Sequence, residues 1–158
     1  MAHPWWMCFL GFSFTSKRSD TRIRIHSKSI TRFKNRVREL TDRNCGKSIH
    51  QIVYNLNLYL RGWWNYYRLT QSTNRFRSLH GWIMRRLRGI LWKQWKNPRT
   101  RVRELRKRGI SRHLAVSVGN ARKGVWRMSR VKWVIIALPN AYFRRNLKLF
   151  LPGVHLLS

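Results

Sequence analysis

Large apolar residues recur along the chain at two different periods. Near the N-terminus, Phe9-Leu-Gly-Phe-Ser-Phe14 alternates bulky apolar residues with small ones, and Thr21-Arg-Ile-Arg-Ile-His26 alternates charge with Ile. A period of two predicts strands, and the polar turn Thr15 to Asp20 joins them into a short hairpin. Two strands alone are marginal in water. The hairpin must therefore pack on the helices that follow, or on a partner sheet that this sequence does not contain.

From about residue 29 the period lengthens to that of a helix. The stretch Ser29 to Arg43 places Ile30, Phe33, Val37 and Leu40 on one face and Arg32, Lys34, Arg36 and Arg38 on the other. Asn44-Cys45-Gly46 supplies a stop, because Gly readily takes the left-handed conformation after a helix. Ser48 can cap a second helix running to about Arg68, with Ile49, Ile52, Val53, Leu56, Leu60, Trp63 and Tyr67 in one stripe. Ser72 or Thr73 opens a third, to about Lys96, whose stripe is Phe76, Leu79, Ile83, Leu87, Ile90 and Leu91. The pattern predicts a mainly α fold in which an antiparallel three-helix bundle follows the hairpin. Burying about fifteen large side chains at ~1.5–3 kcal/mol each supplies enough gross stabilisation, before chain entropy is subtracted.

Asn97-Pro98-Arg99-Thr100 breaks the periodicity and predicts a domain boundary. Three regions result: 1–28 with the hairpin, 29–96 with the bundle, and a small helical and loop segment over 97–158. In the last, Val102 to Lys107 and Ser111 to Val118 read as short helices split by Gly109. A glycine-bracketed loop, Gly119 to Gly124, leads to Trp126-Arg-Met-Ser129, and Pro139 starts a final helix through Phe143. The apolar tail from Leu149 to Ser158 has no assignment.

Charge sharpens this picture. The 158 residues hold 35 Lys and Arg against 4 Asp and Glu, a formal +31. Most cations have no carboxylate to pair with, and their mutual repulsion costs stability unless a polyanion screens them. Arg outnumbers Lys, which suits recognition of phosphates and bases by a planar fork of donors. A disordered basic tail would be poor in bulky residues, whereas this chain is 43% hydrophobic and 13% aromatic, with 9 Trp. A folded basic domain fits better. No membrane span is expected: Ala2 to Phe14 lacks a basic lead, and Val131 to Leu138 is broken by Lys132 and Pro139, far short of the ~20 residues required. Cys8 and Cys45 form neither a metal-spaced pair nor a disulfide framework, which suits a reducing cytoplasm.

No active site is expected. Two-metal nucleotidyl transfer needs at least two converging carboxylates, and only Asp20, Glu39, Asp42 and Glu104 exist. Glu39 and Asp42, among Arg36, Arg38 and Arg43, read as local ion pairs. The six histidines have no metal-ligand spacing, Gly119 to Gly124 lacks the order of a phosphate loop, and no cofactor is implied. Binding residues are easier to find. Arg85, Arg88 and Trp92 project opposite the apolar stripe of the third helix, the pairing expected where bases stack and guanidinium groups hold phosphates. The alternative for Trp92 is packing on the following segment. In Arg61-Gly-Trp-Trp-Asn-Tyr-Tyr-Arg68, Trp63 and Tyr67 belong to the core stripe, leaving Arg61, Asn65 and Arg68 to bind. Arg122, Lys123, Trp126, Arg127 and Arg130 cluster in the later loop, either as a solvated basic loop or as a nucleic-acid contact.

Several stretches, in order, resemble the reverse transcriptase/maturase proteins encoded by bacterial group II introns. Phe9 to Phe14 looks like the strand that closes the palm of those enzymes, and Ile25-His-Ser-Lys-Ser-Ile-Thr-Arg-Phe33 like the entry to the thumb. Leu60-Arg-Gly-Trp-Trp-Asn-Tyr-Tyr67 and Leu87-Arg-Gly-Ile-Leu-Trp-Lys-Gln-Trp-Lys96 are similar to the maturase-specific region. Arg122-Lys-Gly-Val-Trp-Arg-Met-Ser129 and Leu138-Pro-Asn-Ala-Tyr-Phe143 resemble its downstream segment. The resemblance implies a thumb-like bundle that holds group II intron RNA for splicing, and a downstream segment that contacts a DNA target during mobility. It assigns RNA contact to Arg61, Arg85, Arg88 and Lys93, and DNA contact to Arg122, Lys123 and Arg127. The fingers, the palm with its Tyr-Xaa-Asp-Asp pair, and the Cys/His-bearing endonuclease domain do not occur in this sequence. The chain is therefore expected to be an RNA-binding splicing cofactor without catalysis of its own. The alternatives are a thumb subunit that needs a separately encoded palm, the remnant of a decayed element, or a DNA-binding accessory protein.

Overall fold

Alternation near the N-terminus gives strands β1 (Phe12–Thr15) and β2 (Arg22–Ile25), paired antiparallel with Phe12 opposite Ile25 and Thr15 opposite Arg22. They belong to a computed structural model that describes residues 10–15, 22–70 and 73–151. Cys8, Phe9, Asp20, Ser72 and most of the C-terminal tail, which figure in the expectations above, lie outside the described residues. The hairpin packs on helices. Phe12 stacks on Tyr66 at 5.4 Å and meets Tyr67 at 5.2 Å, while Ile25 is fully buried. Gly11 makes this approach possible: at φ +83° its Hα points where a Cβ would lie 2.6 Å from the Tyr67 hydroxyl and 2.8 Å from Ser29 Oγ.

Three helices follow, α1 (Ser27–Leu40), α2 (Ile49–Tyr67) and α3 (Thr73–Gln94). Each buries the stripe that its periodicity predicted, with Phe33 and Val37 from α1, Ile52, Leu56 and Leu60 from α2, and Leu79, Ile83 and Leu87 from α3. Ser48 caps α2, its side chain accepting from the Gln51 N–H at 3.3 Å. Long-range contacts set the directions. Arg75 donates to the Ile25 carbonyl at 2.7 Å and Arg86 to Thr41 Oγ1 at 2.6 Å, so α3 runs parallel to α1. Gln94 reaches the Lys47 carbonyl and Trp63 packs on Phe76, so α2 runs antiparallel to α3.

Helix α1 stops three residues before the expected Arg43, and the cause is tertiary. The Thr41 hydroxyl donates back to the Val37 carbonyl. Arg86 then donates to the carbonyls of Arg38 (3.3 Å) and Thr41 (3.1 Å), satisfying acceptors that a further turn would have used. Gly46 still takes a positive φ in the connection that follows.

Asn97 to Thr100 proves to be a helix start. Asn97 is the N-cap position and Pro98 the first residue of α4 (Pro98–Lys107), where its missing N–H costs nothing. Beyond lie α5 (Arg112–Gly119), α6 (Val125–Met128), α7 (Lys132–Ala137) and α8 (Asn140–Arg145). One buried cluster spans both sides of residue 97, joining Leu56 and Leu87 to Leu105, Val134, Leu138 and Phe143. The segment over 148–150 returns to α2, where Asn57 donates to the Lys148 carbonyl at 2.9 Å and accepts from the Phe150 N–H at 2.7 Å.

Helix α3 sits between these two layers, and here the structure corrects the sequence reading. The face expected to be outer is a second packed face: Met84, Arg88, Trp92 and Trp95 are all buried. Trp92 is 1% exposed, its ring covered by the Arg101 guanidinium at 5.0 Å, so it packs on the C-terminal segment and cannot stack on a base. Arg88 is 7% exposed, donating to the Leu138 carbonyl at 2.9 Å and Asn140 Oδ1 at 2.7 Å, with Phe143 beneath its guanidinium. Burial lowers its pKa from the usual arginine value.

Candidate nucleic-acid interface

With Arg88 and Trp92 inside, the remaining predicted residues fall in three places. Arg61, Asn65 and Arg68 are exposed on the outer side of α2, and Arg61 lies over the Phe150 ring at 5.5 Å. Lys93 is exposed near the other end of the bundle, where it donates to Asn44 Oδ1. It lines an open hollow with Arg43, Lys47 and Lys96. These two groups are held at opposite ends of α2, because α2 and α3 are antiparallel. They do not form one continuous site.

The third place joins residues that the sequence reading divides between RNA and DNA. Arg85 of α3 donates to the Trp126 carbonyl at 3.0 Å and stacks on the Trp126 ring at 3.6 Å. Its Nε donates to Ser129 Oγ at 3.4 Å. Burial and the nearby charge of Arg130 lower its pKa. Arg122, Lys123, Arg127 and Arg130 are exposed around this contact, and Trp126 remains 37% exposed. The stacked pair therefore anchors α6 to α3 while presenting one side of the indole and four cations to solvent. A planar ring flanked by cations can take a nucleobase on its free face and phosphates at its margin.

Two further basic groups escape the sequence reading. Trp82 of α3 carries Arg38 at 5.7 Å and Arg86 at 5.4 Å. Burial lowers the pKa of Arg86, and Arg43 and Arg38 lower it further, which places three positive groups around the end of α1. The second group is Arg99, Arg103, Arg106 and Lys107, all exposed on α4. Their signal is the run from Pro98, obscured because a proline reads as a break as readily as a first helical residue.

The inner side of α4 is ordered by its lone carboxylate. Arg108 donates to Glu104 Oε2 at 2.8 Å and its guanidinium lies over Trp95 and Tyr142. The hydrogen bond from Arg108 holds the Glu104 carboxyl below its ordinary value near 4.5, outweighing the opposing effect of burial. A depressed carboxylate pKa contributes stability that is complete above the unfolded value and lost as pH falls through the folded one. Thermal stability should therefore decline as pH drops below about 4.5, and Glu104→Gln should shrink that decline; melting curves between pH 3 and 7 check it.

Among the described residues no group of three or more His, Cys, Asp or Glu could hold a metal ion, and no helix is long and apolar enough to cross a membrane. Glu39 pairs with Arg36 at 2.7 Å, whereas Asp42 accepts from the Asn44 N–H at 3.0 Å. No curated protein matches the chain. Residues 30–109, just over half of its length, match the family model described as the group II intron, maturase-specific domain. The matched span runs from α1 to just beyond α4, across the bundle and the helix that closes it. The chain belongs to the group II intron maturase-specific domain family.

Proposed function

We propose that the chain is an RNA-binding module that grips folded group II intron RNA and stabilises it for splicing, without catalysis of its own. The observation that carries this reading is the sorting of cations on a scaffold of the maturase-specific family. Arg86, Arg88, Arg101 and Arg108 are used up in internal contacts. Many others, among them Arg61, Arg68, Arg122, Lys123 and Arg127, stay exposed on several faces. A large RNA fold can meet such a distribution at several points, where a single short duplex meets only one. The exposed side of the Arg85–Trp126 pair is the strongest candidate for contact with a base. Contact between a DNA target and the loop holding Arg122, Lys123, Arg127 and Arg130 belongs to the same proposal.

Splicing is the test. At a magnesium concentration too low for a group II intron transcript to splice by itself, the purified chain should raise the rate of excised-intron formation at least tenfold. Tight binding to the transcript with no change in splicing rate would leave an RNA-binding protein but remove the maturase role.

A further inference from the structure

Helix α4 divides its charges by face. At 100° per residue, Arg101, Leu105 and Arg108 point inward, where Arg101 donates to the Trp95 carbonyl at 3.0 Å and Arg108 is bound to Glu104. Arg99, Arg103, Arg106 and Lys107, spaced by four, three and one, fall on the outer face over about 12 Å of helix. They line an open groove of about 640 Å³ whose lining also includes Val102 and Asn120. Among the described residues the side chains of Arg99 and Arg106 have no hydrogen-bond or ion-pair partner. Arg103 and Lys107 meet Glu104 only at 3.4 and 3.7 Å, through side chains each 64% exposed, so those ion pairs are weak and yield readily to phosphate.

The groove wall is built by close packing. Gly119, the last residue of α5, lies against α4 so tightly that a Cβ there would stand 2.7 Å from Val102 Cγ2 and 3.2 Å from the Val102 nitrogen. That packing brings Asn120 to the basic face. The Asn120 amide nitrogen donates to the Val116 carbonyl at 2.9 Å, leaving its Oδ1 as an acceptor. A phosphate offers no hydrogen to such an atom, but a ribose 2′-hydroxyl does, and this is the group by which a protein tells RNA from DNA.

We propose that the outer face of α4 is a track for an RNA strand, with Arg99, Arg103, Arg106 and Lys107 holding successive phosphates and Asn120 accepting from a 2′-hydroxyl. This rests on the RNA-binding reading above and adds a site to it. The family match includes all of α4, consistent with an RNA occupant.

The test uses the full chain, a folded group II intron transcript, and RNA and DNA 20-mers of one sequence. Replacing all four cations by Gln should make the plot of log affinity against log salt shallower by about 3, at ~0.7–0.9 for each phosphate no longer held. Arg99→Gln with Arg106→Gln, which breaks no hydrogen bond or ion pair among the described residues, should make it shallower by about 1.5 and guards against a folding defect in the fourfold variant. Asn120→Ala should weaken the RNA 20-mer several-fold and leave the DNA 20-mer unchanged. If the unaltered chain binds the transcript and the fourfold variant binds it with the same slope, the track is wrong and the RNA-binding reading survives. If the unaltered chain does not bind the transcript, that reading fails and takes the track with it. Equal weakening on RNA and DNA in Asn120→Ala would overturn the 2′-hydroxyl contact.

Discussion

Affinity for intron RNA should fall by ~10³–10⁵-fold between about 50 and 200 mM salt. The expectation follows from 35 Lys and Arg against 4 acidic residues, with only a minority of the cations among the described residues committed to internal hydrogen bonds or ion pairs. Each phosphate held by a Lys or Arg releases condensed counterions, and about six to ten such contacts give this range. The exposed groups on α2, around Trp126 and on α4 supply that many cations without requiring any one face to provide them all. Filter-binding or fluorescence-anisotropy titrations at four or five salt concentrations read the slope directly. An affinity that hardly changed with salt would mean that apolar or hydrogen-bonded contacts dominate, and the charge-based account would fail.

The second large effect concerns stability. Trp92→Ala should destabilise the fold by ~3–5 kcal/mol, since it removes a fully buried indole and leaves a cavity beneath Arg101 and Trp95. At roughly 2–4 °C per kcal/mol for a chain of this size, the melting temperature should drop on the order of 10 °C. RNA affinity measured well below the transition should be nearly unchanged, because the ring has no surface to offer a base. An outward Trp92, the other placement that the sequence leaves open, predicts the reverse pattern: a melting temperature within about two degrees of the original and a loss of ~1–3 kcal/mol in binding. Calorimetry and binding on the same sample separate the two.

Why spacing misplaces Arg88, and leaves Trp92 open between a binding face and packing on the following segment, is a matter of period and range. Helix α3 carries two stripes, Phe76 to Leu91 on one side and Met84, Arg88, Trp92 and Trp95 on the other. The second stripe has helical spacing, yet two of its members also suit a binding face, and its partners arrive from later helices, Arg101 over Trp92 and the start of α8 for Arg88. Leu138 and Asn140, which take the Arg88 donors, cannot be paired with it by spacing. The same holds for Arg85 and Trp126, 41 residues apart in the sequence, which prove to be one stacked unit. By contrast, the three bundle stripes and the Ser48 cap are legible because they depend on residues within four positions of one another. Helix α1 ends early for the opposite reason: its last acceptors are met by Arg86 from another helix, so the glycine stop further along is not needed.

The claim underlying all of this is that a folded helical scaffold displays unpartnered cations shaped to structured intron RNA. It is tested most directly by competition at one fixed moderate salt concentration, between a folded group II intron transcript and an unrelated RNA duplex of equal length. The folded transcript should displace the protein from the duplex with at least tenfold preference. Equal competition by the two RNAs would contradict the account and leave only a general affinity for phosphate.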